Sequence, residues 1–450
     1  MKLVKLSLVA ALAAGSISVL DAKPLEEAIK DVDISGALRY RFDQASWGKK
    51  DYEGFDNKGL GANTAPHKFR AFVTPSISVG DGFKIVGQIM YNNDANGGWG
   101  ANGLTTTKNP IVLKQAYLQY DLADAGVSVL FGKQELGTIW TADFTGMAAK
   151  VLITPTQGLT IAAFGVDSFE GATGDPDAFS PANTLGGASL SEAEKKVWDA
   201  SIYNNNMYGA AVLANFAGLD LQLWGAYWDR VATLYAANLK YTLGLGGGNN
   251  VGAKVTYLGN SMDSDLKTLS RDALDNGNLV DGRVFAKFAG LDAKVGGIFF
   301  GKKDKLTINT LEDITGPDLY IGREIFYASS TSLVESLGQN TFGYVGVGYT
   351  LPADIRIGVQ GVFGQTTAAA AVDKTAESAA NGAGTKYELA ADIGYKVNKN
   401  LNFTLWYSHI ESSAKVEKAY DAGTDTYVSI DSTKVKGTKD AVRFEALYKF

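Results

Sequence analysis

No cysteine occurs anywhere in the 450 residues, and only two histidines, His67 and His409. The first absence excludes disulfides, thiolate zinc centres and cysteine nucleophiles. The second leaves little for acid–base chemistry, and both histidines fall at the ends of alternating stretches, where an imidazole reads as an interfacial polar group. Beyond the first two dozen residues there is no run of about 18 consecutive apolar side chains, so the chain encodes no spanning helix. An excess of positive charge is also missing. Lys and Arg number 42 against 48 Asp and Glu, a net of −6, without the basic stripe that nucleic acid demands. Only 9 prolines and 5 methionines stand beside 52 glycines and an 11% aromatic content. That balance suits turn-rich strands with interfacial rings and does not suit a helical bundle.

The start of the chain reads as an address. Lys2 and Lys5 precede a short apolar run, Leu6 to Val19, and Ala22 closes it. Residues 1–22 are expected to be a cleaved signal peptide, leaving 23–450 as one domain. Within that domain Ile34, Gly36, Leu38, Tyr40 and Phe42 alternate with Ser35, Ala37, Arg39, Arg41 and Asp43. Phe83–Asn92 and Ile355–Phe363 repeat the period of two, which marks strands with one apolar and one polar face.

The connections select among all-β folds. Tight turns built on Gly82, Gly158, Gly218 and Gly290, with companions at Asp354 and Asn400, alternate with long polar connections. The long ones are expected at 44–66, 93–110, 168–206, 260–278, 302–340, 365–384 and 411–440. A transmembrane antiparallel barrel with short periplasmic turns and long external loops produces this rhythm, and the hairpins count to about 18 strands. The final segment, 441–450, sets Val442, Phe444, Ala446, Tyr448 and Phe450 on one face and ends on phenylalanine. Tyr448 and Phe450 are the expected recognition signal for outer-membrane assembly machinery.

Two glycine and aspartate motifs lead nowhere. Gly343–Gly348 resembles a nucleotide loop but lies inside an alternating strand. Asn92, Asp94 and Asn96 open like a calcium-binding helical loop, yet Gly103 stands where glutamate is required.

Charge placement is more telling. Barrel closure makes the first and last strands neighbours, so Arg39, Arg41, Arg70, Lys84 and Arg443 are expected to line the lumen as a continuous basic wall. Facing lipid, such side chains would cost about 2–4 kcal/mol each at mid-bilayer. The connection after the fifth strand, 135–149, carries Glu135, Trp140, Asp143 and Phe144 and is the expected constriction loop. Acids there, opposite a basic wall, would create a transverse field.

Several stretches together resemble the Campylobacter-type major outer membrane porin family. They are the leader 1–12, the following segment 24–33, Gly132-Lys133-Gln134, Ile139-Trp140-Thr141, the run 163–169, Tyr227-Trp228-Asp229, the run 257–261 and Ala446–Phe450. The resemblance implies a homotrimer of large barrels in the outer membrane, bounded by lipid and lipopolysaccharide and conducting ions and small hydrophilic solutes. It also implies calcium near the constriction, on Asp143, Asp177 and Glu312. The function expected is a general diffusion porin of weak cation selectivity. A substrate-specific channel and a barrel acting mainly as an adhesin are the alternatives, and an enzyme lacks the residues.

Overall fold

The computed structural model describes residues 32–50, 67–80, 82–92, 111–170, 179, 202–270, 273–312, 319, 322–327, 331–334, 337–367, 383–421, 423–424 and 426–450. The expected signal peptide and Asp177 lie outside the described residues. The strands are β1 (Val32–Lys50), β2 (His67–Gly80), β3 (Phe83–Asn92), β4 (Val112–Leu122), β5 (Val127–Glu135), β6 (Thr145–Thr156), β7 (Leu159–Phe169), β8 (Met207–Phe216) and β9 (Leu219–Trp228). They continue as β10 (Ala232–Gly246), β11 (Asn249–Met262), β12 (Asn278–Phe288), β13 (Leu291–Leu306), β14 (Leu337–Thr350), β15 (Ile355–Thr367), β16 (Gly384–Lys396), β17 (Leu401–Asp421) and β18 (Thr426–Lys449). Each pairs antiparallel with its sequence neighbour, and β1 also pairs with β18. The result is a closed 18-stranded antiparallel barrel.

Period two sorts the side chains. Ile34, Leu38, Phe69, Val73, Ile85 and Ile89 stand exposed on the outside, while Ala37, Arg41, Asp43 and Lys68 are buried on the inside. An apolar exterior over a polar interior is the arrangement a barrel takes in lipid.

Two of the short turns share one design. Ala217-Gly218 and Ala289-Gly290 have positive φ at both residues (49° and 85°, 48° and 86°). This is type I′ geometry, whose twist matches the strands it joins. Gly218 is needed for contact as well as for φ, because a Cβ there would meet the Thr242 carbonyl oxygen at 2.3 Å. Thr242 N–H donates to the Gly218 carbonyl at 2.8 Å, tying one turn to the next hairpin.

Strands reach further at the loop end than the polarity of the sequence suggests. β1 runs on to Lys50, and the constriction connection shortens to 136–144 because Thr145–Lys150 opens β6. The expected connection 411–440 is itself a ribbon. β17 and β18 stay paired out to Asp421 opposite Thr426, beyond Ser413, where β16 ends its pairing with β17. Valine, threonine and tyrosine recur along this stretch, and their strand preference outweighs the lysines and aspartates between them.

Closure is completed by the last residue. Phe450 N–H donates to the Gly36 carbonyl at 3.0 Å and Gly36 N–H to the Phe450 carbonyl at 2.9 Å. A side chain on Gly36 would put its Cβ 2.6 Å from the Phe450 ring. Tyr448 and Phe450 stack on the outside with centroids 6.1 Å apart.

Candidate functional site

The lumen has a charged wall, made by β16, β17, β18, β1 and β2. Arg39 sits opposite Arg70 across the β1–β2 ladder, and Arg41 opposite Lys68. Like charges in facing positions repel, and carboxylates of the same register answer them. Arg41 donates from Nε (3.0 Å) and Nη2 (2.6 Å) to Glu445. Asp43 accepts from Arg443 and stands 3.3 Å from the Lys68 ammonium. The Arg443 guanidinium also lies 5.0 Å from the Trp406 ring centre, a cation–π distance. Arg41, Asp43 and Lys68 are each only 3% exposed. Charges so far from water are tolerable only when paired.

Two connections fold inward and reach this wall. From 136–144, Asp143 accepts from Arg70 at 3.3 Å. From the β13–β14 connection, Glu324 meets Lys439 at 2.6 Å, both nearly buried. The two connections also hold each other. Glu312 accepts the backbone N–H groups of Ala142 (2.5 Å) and Phe144 (3.0 Å), and Leu311 N–H donates to the Trp140 carbonyl.

The opposite wall, from β6 to β14, is packed. Toward the loop end Phe164, Trp228, Leu234, Phe300 and Phe342 turn inward as one apolar cluster, with Asn260, Asn340 and the Asp281–Arg283 pair buried beside them. Loop residues fill the space against them. Trp140 (2% exposed) and Phe144 (0%) belong to this cluster, with Trp140 edge-on to Trp224 at 6.1 Å.

The structure therefore brings some expected site residues together and separates others. Arg39, Arg41, Arg70 and Arg443 converge. Lys84 does not join them. Asn92, not Lys84, lies opposite Arg70, and Lys84 sits eight residues away at the turn end, half-exposed on Asp121 at 3.2 Å. The wall is consequently not a continuous basic strip. Trp140 and Phe144 anchor the inward loop rather than face an opening. Glu135 closes β5 and accepts from the Gln115 amide at 2.9 Å. Lys68, Asp43, Glu445, Glu324 and Lys439 complete the wall and were not anticipated. Asp43 and Glu445 share the alternating face with the arginines, so their signal was in the sequence.

Of the three expected calcium ligands, Asp143 and Glu312 are brought together, since Glu312 accepts from the N–H groups of Ala142 and Phe144 on either side of Asp143. Calcium takes six to eight oxygens. Among the described residues no group of three or more His, Cys, Asp or Glu that could hold a metal ion gathers.

The family described as Campylobacter major outer membrane protein matches residues 1–450. The chain belongs to that family. It is an outer-membrane protein that crosses the bilayer many times as a β-barrel. None of the curated proteins compared with the chain matches it. Among solved structures, OccAB3 of Acinetobacter baumannii is similar at 9% identity and a TM-score of 0.60, over 93% of this chain and 100% of its own. OpdK of Pseudomonas aeruginosa, solved with vanillate, has 13% identity and a TM-score of 0.59, over 93% and 98%. A BenF-like porin of Pseudomonas fluorescens Pf-5 has 14% identity and a TM-score of 0.59, over 94% and 99%. At such identities the likeness concerns the fold, which this family member shares with porins.

Proposed function

We propose that this outer-membrane porin is a general diffusion channel for ions and small hydrophilic solutes, with a weak preference for cations. The observation that carries the reading is the charged wall, in which Arg39, Arg41, Lys68, Arg70 and Arg443 interleave with Asp43, Glu445 and the loop carboxylate Asp143. Alternating charge orients a hydrated polar solute without binding one sign tightly. The net charge of −6 favours cations at the mouth, and the arginines oppose it, so the preference is small and fades at high salt. The test is the reversal potential under a potassium chloride gradient. The parent protein should be weakly cation-selective, and Arg39→Gln with Arg41→Gln should strengthen that preference. An anion-selective parent would sink the reading in favour of a channel specific for carboxylates, the class of the vanillate with which OpdK was solved.

Three companions go with this reading, two of them implied by the family resemblance and the third by the final strand. The barrels form a homotrimer, which cross-linking of membranes tests. Calcium is held by Asp143 and Glu312 together with Asp177 and neutralises the acidic pair; chelation should lower the melting temperature, and Asp143→Asn should blunt that effect. Phe450 is the assembly signal, and its deletion should reduce folded barrel in the outer membrane while export continues.

A further inference from the structure

The segment Gly322–Tyr327 belongs in sequence to the β13–β14 connection but lies in space against β16 and β18. Its backbone is cupped around one wall carboxylate. Glu388, on β16 and 0% exposed, accepts from the N–H groups of Arg323 (2.9 Å), Glu324 (2.8 Å) and Ile325 (3.4 Å). Gly322 opens the cup at φ 82°, and a Cβ there would stand 2.1 Å from Glu388 Oε2. A left-handed residue followed by successive N–H groups makes a concavity for an anion, and here the anion is supplied by the barrel itself. Ser408 on β17 donates its hydroxyl to the same carboxylate.

Everything else that holds the segment surrounds this clasp. Arg323 reaches Asp392 at 2.9 Å, lower on β16, and Glu324 reaches Lys439 on β18. Phe326 packs edge-on to Phe300 (6.0 Å) and Phe342 (5.5 Å). The segment thus follows one arc of the barrel interior, from β13 and β14 past β16 to β18. Through Glu324 it stands beside Lys439, on the strand that also carries Arg443.

We propose that Glu388 is a positioning residue for conduction: its grip on the 322–327 backbone fixes the open cross-section, and loosening it lets the segment move in the lumen. The inference rests on the porin reading. A carboxylate that merely lined a hydrated lumen would stay in water rather than enter a cup of amides. Charge-assisted hydrogen bonds are the strong ones, and their loss leaves buried donors facing an amide.

The experiment is single-channel recording of the parent, Glu388→Gln and Gly322→Ala, with heat-modifiability and thermal melting measured on the same preparations. Glu388→Gln should raise the frequency of sub-conductance transitions and the open-channel noise about tenfold. Gly322→Ala, which pushes the backbone off the carboxylate without touching any charge, should give the same noise. Glu388→Asp, one methylene shorter, should fall between the parent and Glu388→Gln. Conductance as quiet as the parent's in all three folded variants would overturn the proposal, even with a lowered melting temperature, because that is the outcome of a merely structural contact. Should Glu388→Gln not fold, Gly322→Ala and Glu388→Asp carry the test alone. A parent that forms no channels would instead overturn the porin reading itself.

Discussion

The wall from β6 to β14 and the wall from β16 through β18 to β2 enclose one lumen with opposite chemistry. On the first, Phe144 and Tyr203 descend from the loops onto Phe169 and Trp228 with ring centres 5.5 to 6.2 Å apart, Trp140 meets Trp224 at 6.1 Å, and Phe179 is buried in the same cluster. On the second, ion pairs lie along the ladder from Lys439 to Lys68. The first behaves like the core of a soluble protein, held by dispersion and burial. The second holds its shape by pairing charges. Inward loops are therefore anchored on one side by apolar contact and meet the other through polar groups: the carboxylates of Asp143 and Glu324, the Arg323 guanidinium and the backbone amides held by Glu388. Stability and selectivity are thus separable by side of the barrel.

The comparison can be broken by substitutions on each side. The largest effect is expected from Trp140→Ala, about 3–5 kcal/mol of unfolding free energy for deleting a fully buried aromatic. Urea unfolding in detergent measures it, and the reversal potential should stay where it was. Next comes Asp43→Asn, which removes the carboxylate that Arg443 and Lys68 share. It should cost about 2–3 kcal/mol and, unlike Trp140→Ala, move the reversal potential toward anions. An Asp43→Asn channel with parental selectivity would mean that this wall does not face the conducting path. The smallest effect belongs to Lys84→Gln, on a half-exposed pair at the turn end. About 0–0.5 kcal/mol is expected, with no change in sub-conductance behaviour; a large loss would restore Lys84 to the wall from which its register removes it.

Reading the sequence worked wherever one strand speaks for itself. Period-two alternation from Ile34 to Asp43, and glycine before an apolar residue at Gly82, Gly158, Gly218 and Gly290, are local signals with a local cause. They were enough to count the strands. Lys84 shows the first limit. Alternation says which face a side chain takes but not its height, and height depends on pairing registers that only the assembled ladder fixes. Asp43 and Glu445 show a second. They lie on the same face as the arginines, and a wall described by its cations alone looks more basic than it is. Glu388 and Glu312 mark the third. Neither is marked out by its sequence neighbours (Asp313 directly follows Glu312), and the role of each depends on backbone amides 63 to 170 residues away. The β17–β18 ribbon was missed for a different reason, since a strand rich in Lys, Thr and Asp resembles a loop until its partner is known.

The joining of β1 to β18 has a consequence in time. Arg41 and Glu445 are 404 residues apart in sequence, and Asp43 and Arg443 are 400 apart. Contacts of such separation reward the chain only after nearly all of it has been ordered, so topology of this kind folds slowly. Every other ladder joins sequence neighbours and can form hairpin by hairpin, which leaves the β1–β18 junction as the natural final step. Unfolding meets the same obstacle in reverse. A ring of strands has no end from which to peel, so the barrier to opening, more than the equilibrium free energy, should set how long the folded barrel lasts.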